Sequence, residues 1–224
     1  MTPSPLPSAT LSTRSEAAAE VLAEGAWPVP GDPELPVPLA GFAVSSFSPM
    51  ASAAADRCLE QVHGAPGAVE PGGGPAGPGE EERVRRAGRT AIVLASRGGD
   101  LETHTATAVA VDAGRPAAPL LFFQSVPNAV VGHIAKRWGL RGPVICFSPD
   151  AAGADPLGEA LDVARFLANG GDADEALLLL VEQVGPDGAS ASARALLVRS
   201  VPDASPDGSS DASSDASPDA GEAS

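Results

Sequence analysis

Tyrosine is missing from this chain altogether, and aromatic residues of any kind make up only 4% of its 224 positions. A core so short of rings must be built from aliphatic side chains and alanine, which bury less area apiece. Basic residues are scarce too: 14 Lys and Arg stand against 29 Asp and Glu, a formal charge of −15. A chain this acidic repels phosphate backbones and anionic lipid, which argues against nucleic acid and membrane as partners. Two cysteines, Cys58 and Cys146, are too few for a disulfide framework, so a reduced, cytoplasmic setting is expected. No signal-peptide pattern opens the sequence, and the longest apolar run, Ala176 to Val181, is far too short to span a bilayer. No pair of His or Cys residues has metal-ligand spacing, so neither metal nor other cofactor is expected.

What the chain has in excess is Gly (25) and Pro (23), concentrated in particular stretches. Residues 1–35 read as a flexible Pro-rich arm with a short helical patch from Ser15 to Leu22. Residues 201–224 read as a disordered tail of Asp, Ser, Ala and Pro with no side chain large enough to repay ordering. Between them, residues 36–200 form the expected domain, interrupted by a Gly/Pro-rich flexible insert at 64–82.

Within that domain the periodicities alternate. Ala40 to Phe47 reads as a strand and residues 51–62 as a helix with Ala54, Cys58, Leu59 and Val62 on one face. Thr90 to Ala95 is a continuous apolar run suited to a strand buried on both faces. A helix over Asp100 to Val111 follows, then a stronger one over Ser125 to Leu140, striped by Val130, Val131, Ile134 and Trp138 and stopped by Gly139. Val144 to Phe147 reads as a strand, Gly158 to Ala168 as a helix, and Leu177 to Val184 with Ala193 to Ser200 as two strands around a Gly-Pro-Asp-Gly turn. Strands alternating with helices indicate an α/β layered fold, a mixed sheet flanked by helices with an antiparallel final pair.

Three segments, in order and spacing, resemble β-ketoacyl synthases. Leu94-Ala95-Ser96-Arg97-Gly98-Gly99-Asp100 resembles a family strand ending in a Gly-rich turn. Ser125 to Ala135, with Asn128-Ala129, Gly132 and Ile134-Ala135, resembles the family's "PNA…G.IA" helix, and Gly139-Leu140-Arg141-Gly142-Pro143 its "GLRGP" connection. Gly158-Glu159-Ala160 through Asp172-Ala173-Asp174 resembles the "GEA…G.AD" helix and turn. The wording and short length are similar to small chain-length-factor-like proteins of bacterial polyene pathways. The resemblance implies a thiolase-like layered fold, here a single N-terminal half.

It also implies where chemistry belongs. A condensing enzyme holds a thiolate at a strand-to-helix elbow, where the helix N-terminus lowers its pKa. The family's "TACASG" stretch aligns with Cys146 to Gly153, so the nucleophile position falls at Ala151 or Ala152, which is degenerate. Cys146 and Ser148 are the remaining candidate nucleophiles; the alternative readings are a small hydrophobe in a strand and a strand-end or helix-capping hydroxyl. Ser125, Asn128, Gly132, Gly142 and Pro143 are family-motif positions with structural tasks: Asn128 to cap its helix or tie the preceding loop, Gly132 to admit another backbone. Asp155 and Glu159, with Asp150, suit a helix N-terminus rather than an acid–base pair. His133 is expected at a packing boundary, His63 and His104 in solvent.

The implied function is a non-catalytic, chain-length-factor-like subunit assisting a catalytic ketosynthase in polyketide, polyene or fatty-acid-type biosynthesis. An acyl-handling transferase using Cys146 or Ser148, or a decayed ketosynthase fragment, are the alternatives. A single half is expected to leave the Val130/Ile134/Trp138 and Leu161/Phe166/Leu167 faces poorly covered. The expected partners are therefore a ketosynthase-like subunit or a second copy, with an acyl carrier protein as a further one.

Overall fold

The computed structural model describes residues 19–42, 44–66, 78–115, 119–149, 155–183 and 190–200. Five strands, β1 (Ala19–Trp27), β2 (Thr90–Ala95), β3 (Val144–Phe147), β4 (Glu175–Glu182) and β5 (Ser192–Ser200), form one mixed sheet in the order β1-β5-β4-β2-β3. Six helices join them: α1 (Phe47–His63), α2 (Pro78–Gly88), α3 (Leu101–Asp112), α4 (Pro119–Gln124), α5 (Asn128–Trp138) and α6 (Pro156–Asn169). β2 runs parallel to β3 and β4, whereas β5 is antiparallel to both β4 and β1. This is the expected α/β class with the expected mixed sheet.

Every residue of β2 is buried, because alternate side chains enter two cores. Ile92, Leu94, Leu177, Leu179 and Leu197 point to the face covered by α1 and α5. Ala91, Val93, Leu178, Leu196 and Val198 point to the face covered by α6 through Leu157, Ala160, Ala164 and Leu167. With few rings available, close helix approach supplies the density. Ala51, Ala54, Ala55 and Cys58 bring α1 against β1 and the sheet, all with no exposed surface. At Gly25 the approach is so tight that a Cβ would collide with the Ala54 carbonyl and the Cys58 amide.

Several expectations change. Residues 19–27 are a strand, not part of a helical patch and loose arm; Ala23 and Trp27 pack into the core while the backbone pairs with β5 from Ala19↔Ser200 to Trp27↔Ala193. Asp32, further along the arm, is held too, since Arg57 grips it with two hydrogen bonds of 2.8 and 2.5 Å. Among the described residues of the strand expected at Ala40–Phe47, only a Leu39↔Phe42 bridge forms, and Phe47 opens α1 because it, Met50 and Ala54 share the buried helical face. Part of the expected insert, residues 78–82, begins α2, where Glu80 and Glu81 occupy the first turn and Arg85 and Arg86 the last. Residues 1–18, 67–77 and 201–224 lie outside the described residues.

The expected bare faces are largely covered. Val130, Val131, Ile134 and Leu167 are buried, Leu161 and Trp138 are half-buried against the cores, and Phe166 alone of those named stands out at 73% exposure. The sheet itself supplies the cover.

At the opposite end of the sheet from the β2 C-terminus, ion pairs clamp the strands. Glu175 Oε1 accepts from Arg86 (2.6 Å, Nη2) and Arg199 (2.8 Å, Nη2), and Asp174 pairs with Arg89 at 2.7 Å. His63, expected in solvent, is buried at the end of α1. Burial, reinforced by the neighbouring Arg86 and Arg83 charges and opposed by Glu175, holds its pKa below the ordinary 6.5.

Two outcomes follow for stability. Gly25→Ala should cost about 1–3 kcal/mol, read as a lower urea midpoint at unchanged slope; an unchanged midpoint would contradict the contact. His63 is neutral in the fold, so the unfolded chain takes up its proton first as pH falls. The stability it contributes is full above pH 6.5, declines below that value, and is exhausted once pH has fallen through the lowered folded value. Comparison of urea midpoints at several pH values for the parent and His63→Gln should show a shallower acid loss in the variant.

Candidate functional site

In a parallel α/β sheet the C-terminal strand ends gather the loops that carry chemistry. Here β2, β3 and β4 end together, and the loops beyond them are tied into one polar network. Arg97 N–H donates to Glu182 Oε1 at 2.9 Å, and Glu102 N–H donates to Gln183 Oε1 at 3.2 Å. The Gln183 amide nitrogen reaches the hydroxyls of Ser45 (3.0 Å) and Ser46 (3.1 Å). Ser46 N–H in turn donates to Glu102 Oε2 at 2.7 Å, which closes the circuit. Asp100 caps α3 by accepting from the Thr103 amide (3.0 Å) and hydroxyl (2.9 Å), and Ser96 Oγ accepts from Gly99 N–H at 2.9 Å. Gln124 adds a bond to the Gly41 carbonyl.

The candidate nucleophiles sit at the edge of this network. Cys146 lies on β3 in register with Leu94, half-buried, and packs on the core beneath α1 and α5. Burial pushes its thiol up to about 11, the opposite of what a nucleophile needs. Cys58 is pushed up to about 12 by the same cause, and its Sγ faces the Ala23 carbonyl at 3.4 Å. Ser148 Oγ donates to the Arg97 carbonyl at 3.2 Å, so it is a strand-end tie, and the helix-capping alternative is excluded because α6 is capped elsewhere. That cap is Asp155, whose carboxylate accepts from Leu157 N–H at 3.1 Å; Glu159 follows in the first turn, as a helix dipole favours. Asp150, Ala151 and Ala152 lie outside the described residues.

The family-motif positions are placed as follows. Gly142 lies under β2, its N–H on the Thr90 carbonyl at 3.2 Å, and a Cβ would run into that carbonyl. Pro143 offers its carbonyl to Ile92 N–H at 2.9 Å, joining β3 to β2. Ser125 is buried just before α5, its N–H on the Leu121 carbonyl. Asn128 is exposed and caps nothing, since Pro127 holds the N-cap position of α5 without a side-chain bond. Gly132, expected to admit a neighbouring backbone, faces open space; the close approaches are made at Gly25 and Gly142 instead. Gly139 ends α5 at φ 69°. His133 is half-buried with its ring edge-on to Phe42 at 6.0 Å, and His104 is exposed. Among the described residues no group of three or more His, Cys, Asp and Glu is placed to hold a metal ion, and no helix is long and apolar enough to cross a membrane.

Sequence reasoning missed the Ser45, Ser46, Glu102, Glu182 and Gln183 circuit. Its members are separated by up to 138 positions in pairs that only the sheet topology brings together. A polar Glu182-Gln183 directly after six apolar residues was the one available signal.

No protein-family model matches the chain, and no curated protein matches it in sequence. Solved structures match its fold. A chain from the complex of the ketosynthase ApeO with its chain length factor ApeC, from Xenorhabdus doucetiae, aligns over 83% of this chain and 80% of its own, with TM-score 0.55 and 19% identity. The ishigamide ketosynthase/chain length factor aligns over 76% of this chain and 48% of its own (TM-score 0.52, 21% identity). A β-ketoacyl synthase from Burkholderia phymatum aligns over 69% and 42% (TM-score 0.50, 16% identity). The fold is thus thiolase-like. The chain spans slightly under half the length of the last two structures and most of the first.

The raised pKa of Cys146 makes its alkylation slow. At pH 8 only about one thiol in a thousand is ionised, so iodoacetamide labelling followed by intact mass should rise roughly tenfold per pH unit from 8 to 10. Complete labelling of Cys146 within minutes at pH 7 would mean an activated thiol.

Proposed function

We propose that this chain is a non-catalytic, chain-length-factor-like subunit that assists a catalytic ketosynthase in bacterial polyketide, polyene or fatty-acid-type biosynthesis. The observation that carries this reading is the fold match to a chain of similar size from a ketosynthase and chain-length-factor complex, each aligned over about four-fifths of its length. The chemistry at the strand ends supports it. In this reading the nucleophile position falls on Ala151 or Ala152, and neither carries a group that attacks an acyl thioester. Cys146 is held as a protonated thiol by burial, and Ser148 spends its hydroxyl on a carbonyl. The N-terminus of α6, where a thiolate would gain from the helix dipole, is occupied by the Asp155 carboxylate. The network around Gln183 braces loops and offers no paired acid and base to a substrate.

An auxiliary subunit of this kind works by shape. It completes the ketosynthase partner and limits the room available to a growing acyl chain, while carrier protein delivers substrate to the partner's thiol. We place the assembly in the cytoplasm, where reduced Cys58 and Cys146 are stable.

Co-expressed with a candidate ketosynthase partner, the chain should co-elute with it in equal amounts. Omitting the chain should abolish or shorten the product made with the cognate carrier protein. Incubation of the chain with an acyl-CoA should leave its intact mass unchanged. A covalent acyl adduct that disappears in Cys146→Ala would replace this reading with an acyl-transfer enzyme.

A further inference from the structure

Three nitrogen-bearing side chains share one face of α5. His133, Lys136 and Arg137 stand at i, i+3 and i+4, and with Pro66, just beyond α1, they line an open cleft of about 380 Å³. This end of α5 leads through Gly139 to the start of β3, so the cleft lies at the opposite end of the sheet from the Gln183 network. Lys136 is the only lysine in the chain. It is exposed, and among the described residues it makes no ion pair or hydrogen bond. The chain has 29 acidic side chains, and none of the described ones is set against this ammonium.

Arg137 is held differently. Its Nε donates to Asp56 Oδ1 at 3.0 Å, and the same oxygen accepts from Trp138 Nε1 at 2.7 Å. Asp56 thereby orients the guanidinium through its inner nitrogen, while no bond among the described residues engages either Nη. Such a fork takes two oxygens of one anion. His133 packs edge-on to Phe42, and its Nε2 is buried without a hydrogen-bond partner among the described residues, a polar demand the protein leaves unmet. Basic residues in a last turn suit the negative end of the helix dipole, which accounts for the charge of Lys136 and Arg137. It does not account for their shared cleft, nor for the lack of a counter-charge on Lys136. Two full positive charges exceed the Asp56 carboxylate and the roughly half charge of the dipole, so the cleft stays positive.

We propose that this cleft binds the phosphate group of a small organic phosphate ester, held by Lys136 and the Arg137 fork, with Asp56 as a positioning residue. The donors select the head group. The fork takes two oxygens and the ammonium a third, which a phosphate has and a carboxylate lacks. The volume selects the body, because an inorganic ion leaves most of the space empty, whereas clefts for small organic ligands begin at about 300 Å³.

The lone lysine makes the test direct. In the full chain an amine-acylating reagent reaches only Lys136 and the amino terminus, and peptide mass reports each. Glycerol phosphate or ribose phosphate should slow acylation of Lys136 about fivefold, with the amino terminus unaffected and sodium chloride at the same ionic strength without effect. By calorimetry, Lys136→Gln should weaken binding of the same esters about tenfold, and Arg165→Gln, on α6 across the sheet, not at all. Asp56→Asn should weaken it about threefold and Asp56→Glu should recover it. Removing a carboxylate strengthens a purely electrostatic attraction, so weaker binding in Asp56→Asn marks lost orientation and tighter binding overturns the positioning role. Acylation of Lys136 that neither ester slows in the parent chain overturns the site, whatever the variants do. Equal protection by sodium chloride means screening and overturns it too. Protection as strong from inorganic phosphate makes the ligand the free ion, and from acetate a carboxylate; either overturns the ester.

Discussion

β2 and β4 lie side by side in the middle of the sheet with apolar side chains on both faces, and the rest of the molecule follows from the need to cover them. Parallel neighbours of this kind are stable only when helices shield each side. α1 and α5 take one face and α6 the other. Because the chain has few aromatic rings to fill space, those helices come close through alanine and glycine, and the packing has little tolerance. Gly25 under α1 and Gly142 under β2 mark the two points where not even a methyl group fits.

Elements whose signal is local were legible in the sequence. Thr90 to Ala95 reads as a two-faced strand because six consecutive residues lack charge and helix punctuation, and it is one. The α5 stripe and its Gly139 stop are equally local. β1 was not legible: Ala19 to Trp27 includes two glutamates and a glycine, and only its β5 partner, far along the chain, makes it a strand. Phe47 misled in the other direction, ending an apparent strand in sequence while beginning a helix in space. His63 sits next to Gly64 at a helix end, a position that is ordinarily exposed, and it is buried because α2 lies beside it, with Arg83 donating to its carbonyl.

The candidate site divides in the same way. The resemblance at Ser125 to Pro143 located the strand-to-helix region, and the identities of Cys146 and Ser148 were plain from the sequence. Their environments were not. A thiol on an edge strand has one side open, and whether it is activated depends on charges that reach it through space; burial is the only influence that shifts Cys146. Ser148 likewise acquires its role from Arg97, 51 positions away.

The pairing of β1 with β5 has a temporal meaning. Ala19 is matched with Ser200, so β1 has no ladder to join until β5 has been made. Until then Trp27 and Ala23 lack their partners, and α1, which packs against β1, rests on an incomplete layer. Closing β1 onto β5 is a contact between residues far apart in the chain, the kind whose loop-closure entropy slows folding. Among the described strands, β1 is made first and is paired only once β5, made after β2, β3 and β4, is in place.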